Sequence, residues 1–223
     1  MKVTSISKAR AVAIIDIDEL NLNGRVRMVD VAPALVKRYE FATYPSKAED
    51  FDYEKGAKFG SGRIGDTVID LFAIYQGLIT METLSSTDDS KAALEEILAW
   101  GASEFGLTYK EGMIRHWGYI SHISFDSDFP LLNAVSNPLT NLAMKTGNFV
   151  DSLFGESLDY EVTKVVVGHD PLRRKNGIAG ITIEHKINVK FDENRFFSEA
   201  PLPTNIHIKY LEEFEAEVLK GVK

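Results

Sequence analysis

The sequence has no cysteine among its 223 residues, and this absence removes several kinds of chemistry at once. Disulfide frameworks, cysteine-ligated zinc, iron–sulfur clusters and thiol nucleophiles are all excluded. Histidine and carboxylate side chains are therefore the groups that remain for a metal site or for acid–base catalysis.

Long apolar runs are also missing, because charged residues, glycine or proline interrupt every hydrophobic stretch before it reaches the ~18 residues of a membrane-spanning helix. Residues 1–15 contain only a short apolar run, and no cleavage pattern of a secretory signal follows it. We therefore expect no membrane segment and a cytoplasmic location. We expect the N-terminal arm, residues 1–10, to be ordered only where a partner or a sheet edge holds it.

Positive charge is scarce, since 25 Lys and Arg face 33 Asp and Glu and give a net charge of -8. Nucleic-acid binding usually requires a basic face and a high pI, whereas the pI here is about 5.2. The basic turn formed by Arg173, Arg174 and Lys175 is a weak candidate for contact with nucleic acid or an acidic partner. Its simpler interpretation is a solvated turn, so nucleic-acid binding is not expected.

The overall composition is that of an ordinary globular protein, with 44% hydrophobic and 26% charged residues. The length is compatible with one or two domains. No Pro- or Ser-rich linker separates two halves, so the sequence predicts a single domain over residues 1–223.

Capping signals predict three main helices. Ser86 and the acidic residues after it begin a helical pattern that ends at Gly106. An Asn-Pro pair begins the second helix, which covers residues 137–155, and the third begins near residue 204 and ends at Gly221.

Strand and turn signals predict an antiparallel sheet. An Asn-Gly pair predicts a β-hairpin over residues 11–22 and 25–31, and Gln76-Gly77 predicts a second hairpin. Further strands are expected at 115–125, 162–167 and 178–191, with a loop over 192–203. Because the helices follow hairpins, we expect an α+β fold with an antiparallel sheet of about eight strands, two ββα-like units and three main helices.

Two short motifs contain paired carboxylates. IIDIDELNL places Asp16 and Asp18 after an apolar run, and IGDTVIDLF contains Asp66 and Asp70. These motifs resemble the first motif and the Gly-Asp-x-x-x-Asp motif of haloacid-dehalogenase-like phosphatases, over fewer than twenty residues in total. The Glu-Leu pair after Asp18 stands where that family has a small residue and threonine, and no strand–helix repeats fit between the motifs. The simpler interpretation is carboxylates near a strand edge within the hairpin.

His116, His122, Asp126 and Asp128 form a candidate metal site. Imidazole and carboxylate groups suit zinc, manganese or iron, and the alternating strand geometry places both histidines on one face. This pattern supports an alternative function, a divalent-metal-dependent hydrolase. The simpler interpretation is surface histidines and a helix cap at Ser127 or Asp128.

The other histidines favour structural roles. His169 lies in a Gly-His-Asp sequence that is typical of a polar turn, although an acid–base histidine could occupy the same position. His185 falls on the apolar face of a strand and is expected to be a core residue. Nothing in the sequence marks a role for His207.

The strongest functional signal is a charge-poor region within residues 116–150. Between residues 129 and 150 only Lys145 is charged, whereas the chain average of 26% predicts about six charged residues. Interface cores are depleted in charge and enriched in aromatic residues, although the region is equally compatible with the protein's own core. We therefore expect a non-enzymatic binding or assembly subunit of a soluble complex, without a cofactor, that associates with itself or a partner. The candidate contact residues are Trp117, Tyr119, Leu131, Leu132, Leu139 and Leu142.

Overall fold

The computed structural model describes residues 1–135, 137–155, 160–170, 172 and 178–221. The strands are β1 Lys2–Ile14, β2 Ala57–Ile64, β3 Thr67–Tyr75, β4 Leu78–Thr83, β5 His116–Asp126, β6 Lys164–Val167, β7 Ile181–His185 and β8 Arg195–Ala200. The helices are α1 Ile17–Leu20, α2 Met28–Tyr39, α3 Thr87–Phe105, α4 Leu131–Ala134, α5 Asn137–Phe154 and α6 Thr204–Gly221. Within these ranges, no helix combines the length and the apolar character needed to cross a membrane.

The eight strands form one sheet in the order β2-β3-β4-β1-β5-β8-β7-β6. The pairings of β1 with β4, β2 with β3, β3 with β4, β6 with β7 and β7 with β8 are all antiparallel. The expected α+β class with an antiparallel sheet of eight strands is therefore confirmed. Among the described residues, four helices are longer than two turns, whereas the sequence predicted three main helices. The additional helix is α2, which was not predicted.

The hairpin predicted over residues 11–22 and 25–31 is wrong. The strand β1 ends at Ile14, and α1 and α2 follow it. Gly24 has the positive φ of 59° that an Asn-Gly turn requires, but this turn connects two helices. The physical reason is the helical spacing of the apolar residues that follow the turn. One side of α2 is buried, and it contains Val31, Ala32, Leu35 and Tyr39.

The N-terminal arm is not a separate element. Residues 2–10 belong to β1, whose neighbours in the sheet are β4 and β5. The pairing with β4 begins at Ala9, which lies opposite Thr83, and strand pairing supplies hydrogen bonds that an isolated arm would lack.

The long regular strand predicted over residues 178–191 is also corrected. It ends at His185, and Asn188 adopts a positive φ of 64° in the turn that follows. The chain then forms a 3-10 turn at Phe191–Glu193 and β8, inside the segment expected to be a loop. The alternating pattern continues through this turn, with Ile187 exposed, so periodicity alone did not locate the end of the strand.

The chain divides into two compact units, each of which combines separate segments. The N-terminal unit consists of Ile6–Ser121 and Leu202–Asn205, and the C-terminal unit consists of Met1–Ser5, His122–Pro201 and Ile206–Lys223.

The core of the N-terminal unit lies between its strands and helices α2 and α3. Phe41, Phe59 and Phe72 form an aromatic cluster with ring centroids 5.4 to 6.2 Å apart. Leu94, Ile97 and Leu98 of α3 are buried in the same core. These apolar side chains supply most of the burial that stabilises this unit.

The core of the C-terminal unit joins strand residues to α4 and α6. Phe125 and Phe196 stack with centroids 5.5 Å apart. Leu211 of α6 packs in the same cluster, together with Leu131 and Leu132 of α4. This core fixes α4, the short helix that precedes α5.

Candidate interaction surface

Helix α5 has the boundaries that the sequence predicts. It begins at the Asn-Pro pair and spans 18 residues, Asn137–Phe154. Gly155 follows with a positive φ of 71°, and its N–H donates to the carbonyl of Asp151 at 2.8 Å. A left-handed glycine after the last turn is a common helix end, because it satisfies a terminal carbonyl without a Cβ clash.

Asn133 of α4 connects the start of α5 to other parts of the C-terminal unit. Its side-chain amide nitrogen donates to Glu161 at 2.6 Å, and its amide oxygen accepts from the backbone N–H of Val162 at 3.3 Å. Its backbone carbonyl accepts from the Thr140 hydroxyl of α5 at 3.1 Å. These bonds connect α5 to α4 and to the segment before β6.

One side of α5 is partly covered. Thr140, Ala143 and Val150 are half-buried on this side, and Gly147 is buried.

A different side of α5 carries exposed apolar side chains. Leu139, Leu142, Phe149 and Leu153 have 45%, 61%, 65% and 62% of their surface exposed. Together with Thr146 their spacing is three, four, three and four residues, which is the a/d repeat of a helix-pairing seam. We call Leu139, Leu142, Thr146, Phe149 and Leu153 the α5 stripe.

Thr146 does not make the centre of the α5 stripe strongly polar. Its hydroxyl donates to the carbonyl of Leu142, one turn earlier, at 2.9 Å. The hydroxyl therefore has a partner within the helix and needs none from outside. Lys145 and Asp151 are the charged residues of α5, and neither occupies an a or d position of the stripe.

The structure separates the six predicted contact residues. Trp117 is half-buried against the core of the N-terminal unit, with the Lys91 ammonium 5.3 Å from its ring centroid. Tyr119 is half-buried in β5. Leu131 and Leu132, with exposures of 0% and 1%, fill the C-terminal core and offer no surface to a partner.

Leu139 and Leu142 are the predicted contact residues that lie in the α5 stripe. Phe149 and Leu153 belong to the same stripe. The sequence placed them in the predicted helix but not among the candidate contact residues. The three–four spacing from Leu139 onward is the signal that could have identified them.

Two of the four candidate metal residues, His122 and Asp126, have other partners. His122 pairs with Glu199 through Nε2 and Oε2 at 3.3 Å, and its ring meets Phe197 edge to face. Asp126 lies 3.7 Å from Arg195. A strand advances about 3.3 Å per residue, so His116 and His122 cannot reach one ion from positions six residues apart. In the part of the chain that the structure describes, no group of three His, Asp or Glu residues could hold a metal ion.

The paired carboxylates of the phosphatase-like motifs also have local structural explanations. Asp16 caps α1, and its side chain accepts from the N–H of Asp18 at 3.0 Å. Asp66 lies in the turn between β2 and β3, and Asp70 is exposed in β3. Asp16 thus follows a strand and begins a helix, which corrects the expectation that it lies in a hairpin arm.

Asp16 and His116 line a common open cleft of about 670 Å³ in the N-terminal unit. Glu19 and Arg115 line it as well. The cleft therefore contains one residue of the phosphatase-like motifs, Asp16, and one residue of the candidate metal site, His116. It contains neither set of candidate residues in full.

The remaining histidines are structural in the described part of the chain. The His169 ring nitrogens contact the backbone carbonyls of Asp170 and Ile178 at 3.1 and 2.9 Å. His185 is buried between the rings of Phe191 and Phe196, and this burial lowers the pKa of its imidazole. The basic residues Arg173, Arg174 and Lys175 lie outside the described residues.

The sequence missed His207, which is fully buried and contacts Ser198. Burial, with a smaller contribution from nearby His122, lowers the pKa of His207 to about 4. The sequence did not indicate that His207 is buried, because a histidine in the first turn of α6 is equally compatible with a surface position.

Comparison with protein-family models finds no match for this chain, and no curated protein matches it either.

Proposed function

We propose that this protein is a non-enzymatic assembly protein that self-associates by pairing the α5 stripe with the α5 stripe of a second copy. The observation that carries this proposal is the exposure of four large apolar side chains along one side of α5. Isolated exposed apolar residues are common on protein surfaces, whereas a contiguous apolar patch is typical of an interaction site.

The driving force is removal of this apolar surface from water. Fully burying a leucine or phenylalanine side chain contributes roughly 1.5–3 kcal/mol relative to leaving it exposed. The stripe offers four such side chains, each already partly exposed in the single chain. Part of the gain is offset by the lost freedom of two associating molecules.

Geometry and charge favour a second copy as the partner. An a/d seam packs best against another a/d seam, because each side chain then inserts between residues of the facing helix. A second copy supplies this spacing automatically, and a self-complementary patch closes into a two-fold dimer. No charged residue occupies a position of the α5 stripe. The stripe is therefore complementary to another uncharged surface, which the stripe of a second copy provides.

The test is sedimentation velocity of the full chain from low micromolar to submillimolar concentration. We expect a reversible monomer–dimer equilibrium. The double variant Leu142→Gln/Phe149→Gln should weaken the dimer by at least a hundredfold, because it removes two central apolar contacts.

Met144→Gln is the matched control. Met144 is an exposed apolar residue of the same helix, but 100° per residue places it on the side opposite Leu142. This variant should dimerise like the wild type. Circular dichroism and thermal melting verify that all variants remain folded. A wild type that stays monomeric at every concentration, or a double variant that dimerises normally, overturns the proposal.

A further inference from the structure

A small apolar cavity lies inside the N-terminal unit. Its volume is about 70 Å³, and it is enclosed by α1, α2, α3 and the strands β3 and β4. We call it the inner cavity. Representative lining residues are Ile17, Leu20, Val31, Phe72, Ile97 and Trp100.

Most of the surface that lines the inner cavity is apolar. Asn21 lines it, but the Asn21 amide nitrogen donates to the Val26 carbonyl at 2.8 Å, and the amide oxygen accepts from the Val26 N–H at 3.2 Å. A cavity with apolar walls and few available polar partners stays dry and favours apolar guests. The chemistry of the walls therefore suits a hydrocarbon group.

A second groove borders the inner cavity and is lined by both polar and apolar groups. This outer groove has a volume of about 190 Å³ and shares Asn21 and Val26 with the inner cavity. Arg25 and Thr108 also line it. Asn21 and Val26 thus lie between the apolar inner cavity and the outer groove.

Arg25 supplies a positive charge in the outer groove. It is exposed, and within the described ranges it forms no salt bridge, although the protein carries a net charge of -8. A guanidinium matches the geometry of a carboxylate and can bind both of its oxygens. An apolar interior beside one unpaired cation is complementary to an amphiphile with one negative charge.

We propose that the inner cavity and the outer groove form one binding site for a monocarboxylate with an apolar chain. The chain would occupy the inner cavity, and the carboxylate would pair with Arg25. The small volume of the inner cavity favours a short or medium chain over a long one. This site lies wholly within the N-terminal unit and does not depend on the proposed self-association.

The test is calorimetric titration of the full chain with octanoate. Acetate, which has the same head group without the chain, should bind at least tenfold more weakly. Octylamine, which has the same chain with the opposite charge, should also bind at least tenfold more weakly.

Two variants test the two halves of the site. Arg25→Gln should weaken octanoate binding at least tenfold, whereas Arg63→Gln, which removes another exposed arginine of the same unit, should leave it unchanged. Val26→Phe should abolish binding by filling the boundary between cavity and groove.

Methyl NMR of the wild type provides a readout that needs no variant. Octanoate should shift the methyl signals of Ile17, Leu20 and Ile97, which line the inner cavity. Absence of these shifts, equal binding of acetate and octanoate, or unchanged affinity in Arg25→Gln overturns the proposal.

Discussion

His207 Nε2 lies 2.8 Å from Ser198 Oγ, and both side chains are fully buried in the C-terminal unit. The Ser198 hydroxyl donates its hydrogen to the backbone carbonyl of Thr182 at 2.6 Å. Ser198 therefore accepts from the imidazole N–H, and the imidazole does not act as its base. This pair differs from a nucleophile and its base, where the serine hydrogen points to the imidazole. It connects α6 to β8 and β7.

The lowered pKa of His207 predicts loss of stability at acidic pH. The pKa is about 4 in the folded protein against an ordinary value of 6.5, so the unfolded chain binds the proton first as the pH falls. The stabilisation is complete above pH 6.5 and is lost progressively toward pH 4. We expect the free energy of unfolding to fall by about 2 kcal/mol between pH 7 and pH 5 from this group.

Urea denaturation at both pH values measures this effect. The variant His207→Leu removes the titrating group and should lose most of that pH dependence, even though it lowers stability at neutral pH. His169→Leu, which removes an exposed histidine of the same unit, is the control for the loss of a histidine side chain as such. Equal pH dependence in wild type and His207→Leu would contradict the assignment.

The buried Glu82 of β4 forms an ion pair with the half-buried Arg10 of β1. The Arg10 guanidinium contacts Glu82 Oε2 at 2.6 and 2.8 Å, and Lys8 Nζ lies 3.6 Å from Oε1. Arg10→Met should lower the free energy of unfolding by about 2–3 kcal/mol, because it leaves a buried carboxylate without its main partner. The double variant Arg10→Met/Glu82→Met should recover most of this loss. Chemical denaturation of the three proteins checks the order, and a double variant less stable than Arg10→Met would refute this account.

Gly62 of β2 lies where a side chain does not fit. A Cβ atom there would lie 2.5 Å from the Phe41 ring and 2.9 Å from the Tyr39 carbonyl oxygen. Gly62→Ala should therefore destabilise the protein by about 1–3 kcal/mol through overpacking. Gly77→Ala is the control, because nothing lies within 4 Å of its added Cβ, and it should change stability by less than ~0.5 kcal/mol. Thermal melting of both variants tests the contrast; equal effects would show that close packing at Gly62 is not the cause.

Local signals in the sequence located the elements whose ends depend on nearby residues. Ser86 accepts from the N–H of Asp89 at the start of α3, and Gly106 ends that helix with a φ of 74°. The Gln76-Gly77 pair connects β3 to β4 as expected. Caps and tight turns act over three or four residues, so a single sequence contains the information needed to predict them.

Prediction failed where two local signals competed. The Asn-Gly pair before residue 25 favours a hairpin turn, whereas the apolar spacing from Val31 to Tyr39 favours a helix. The structure retains the positive φ of Gly24 and forms the helix. Burial of four α2 residues in the N-terminal core decided the outcome, and the turn pair alone could not show this.

The sequence by itself determined the fold class, the ends of α3, α5 and α6, and the scarcity of charge around residues 129–150. Only the tertiary structure decided which apolar residues in that region are core and which are surface. Leu131 and Leu132 are buried, whereas Leu139 and Leu142 are exposed, although all four are leucines in the same charge-poor segment. The physical reason is that helical periodicity specifies which side of a helix is apolar, but the elements packed around it decide whether that side is covered.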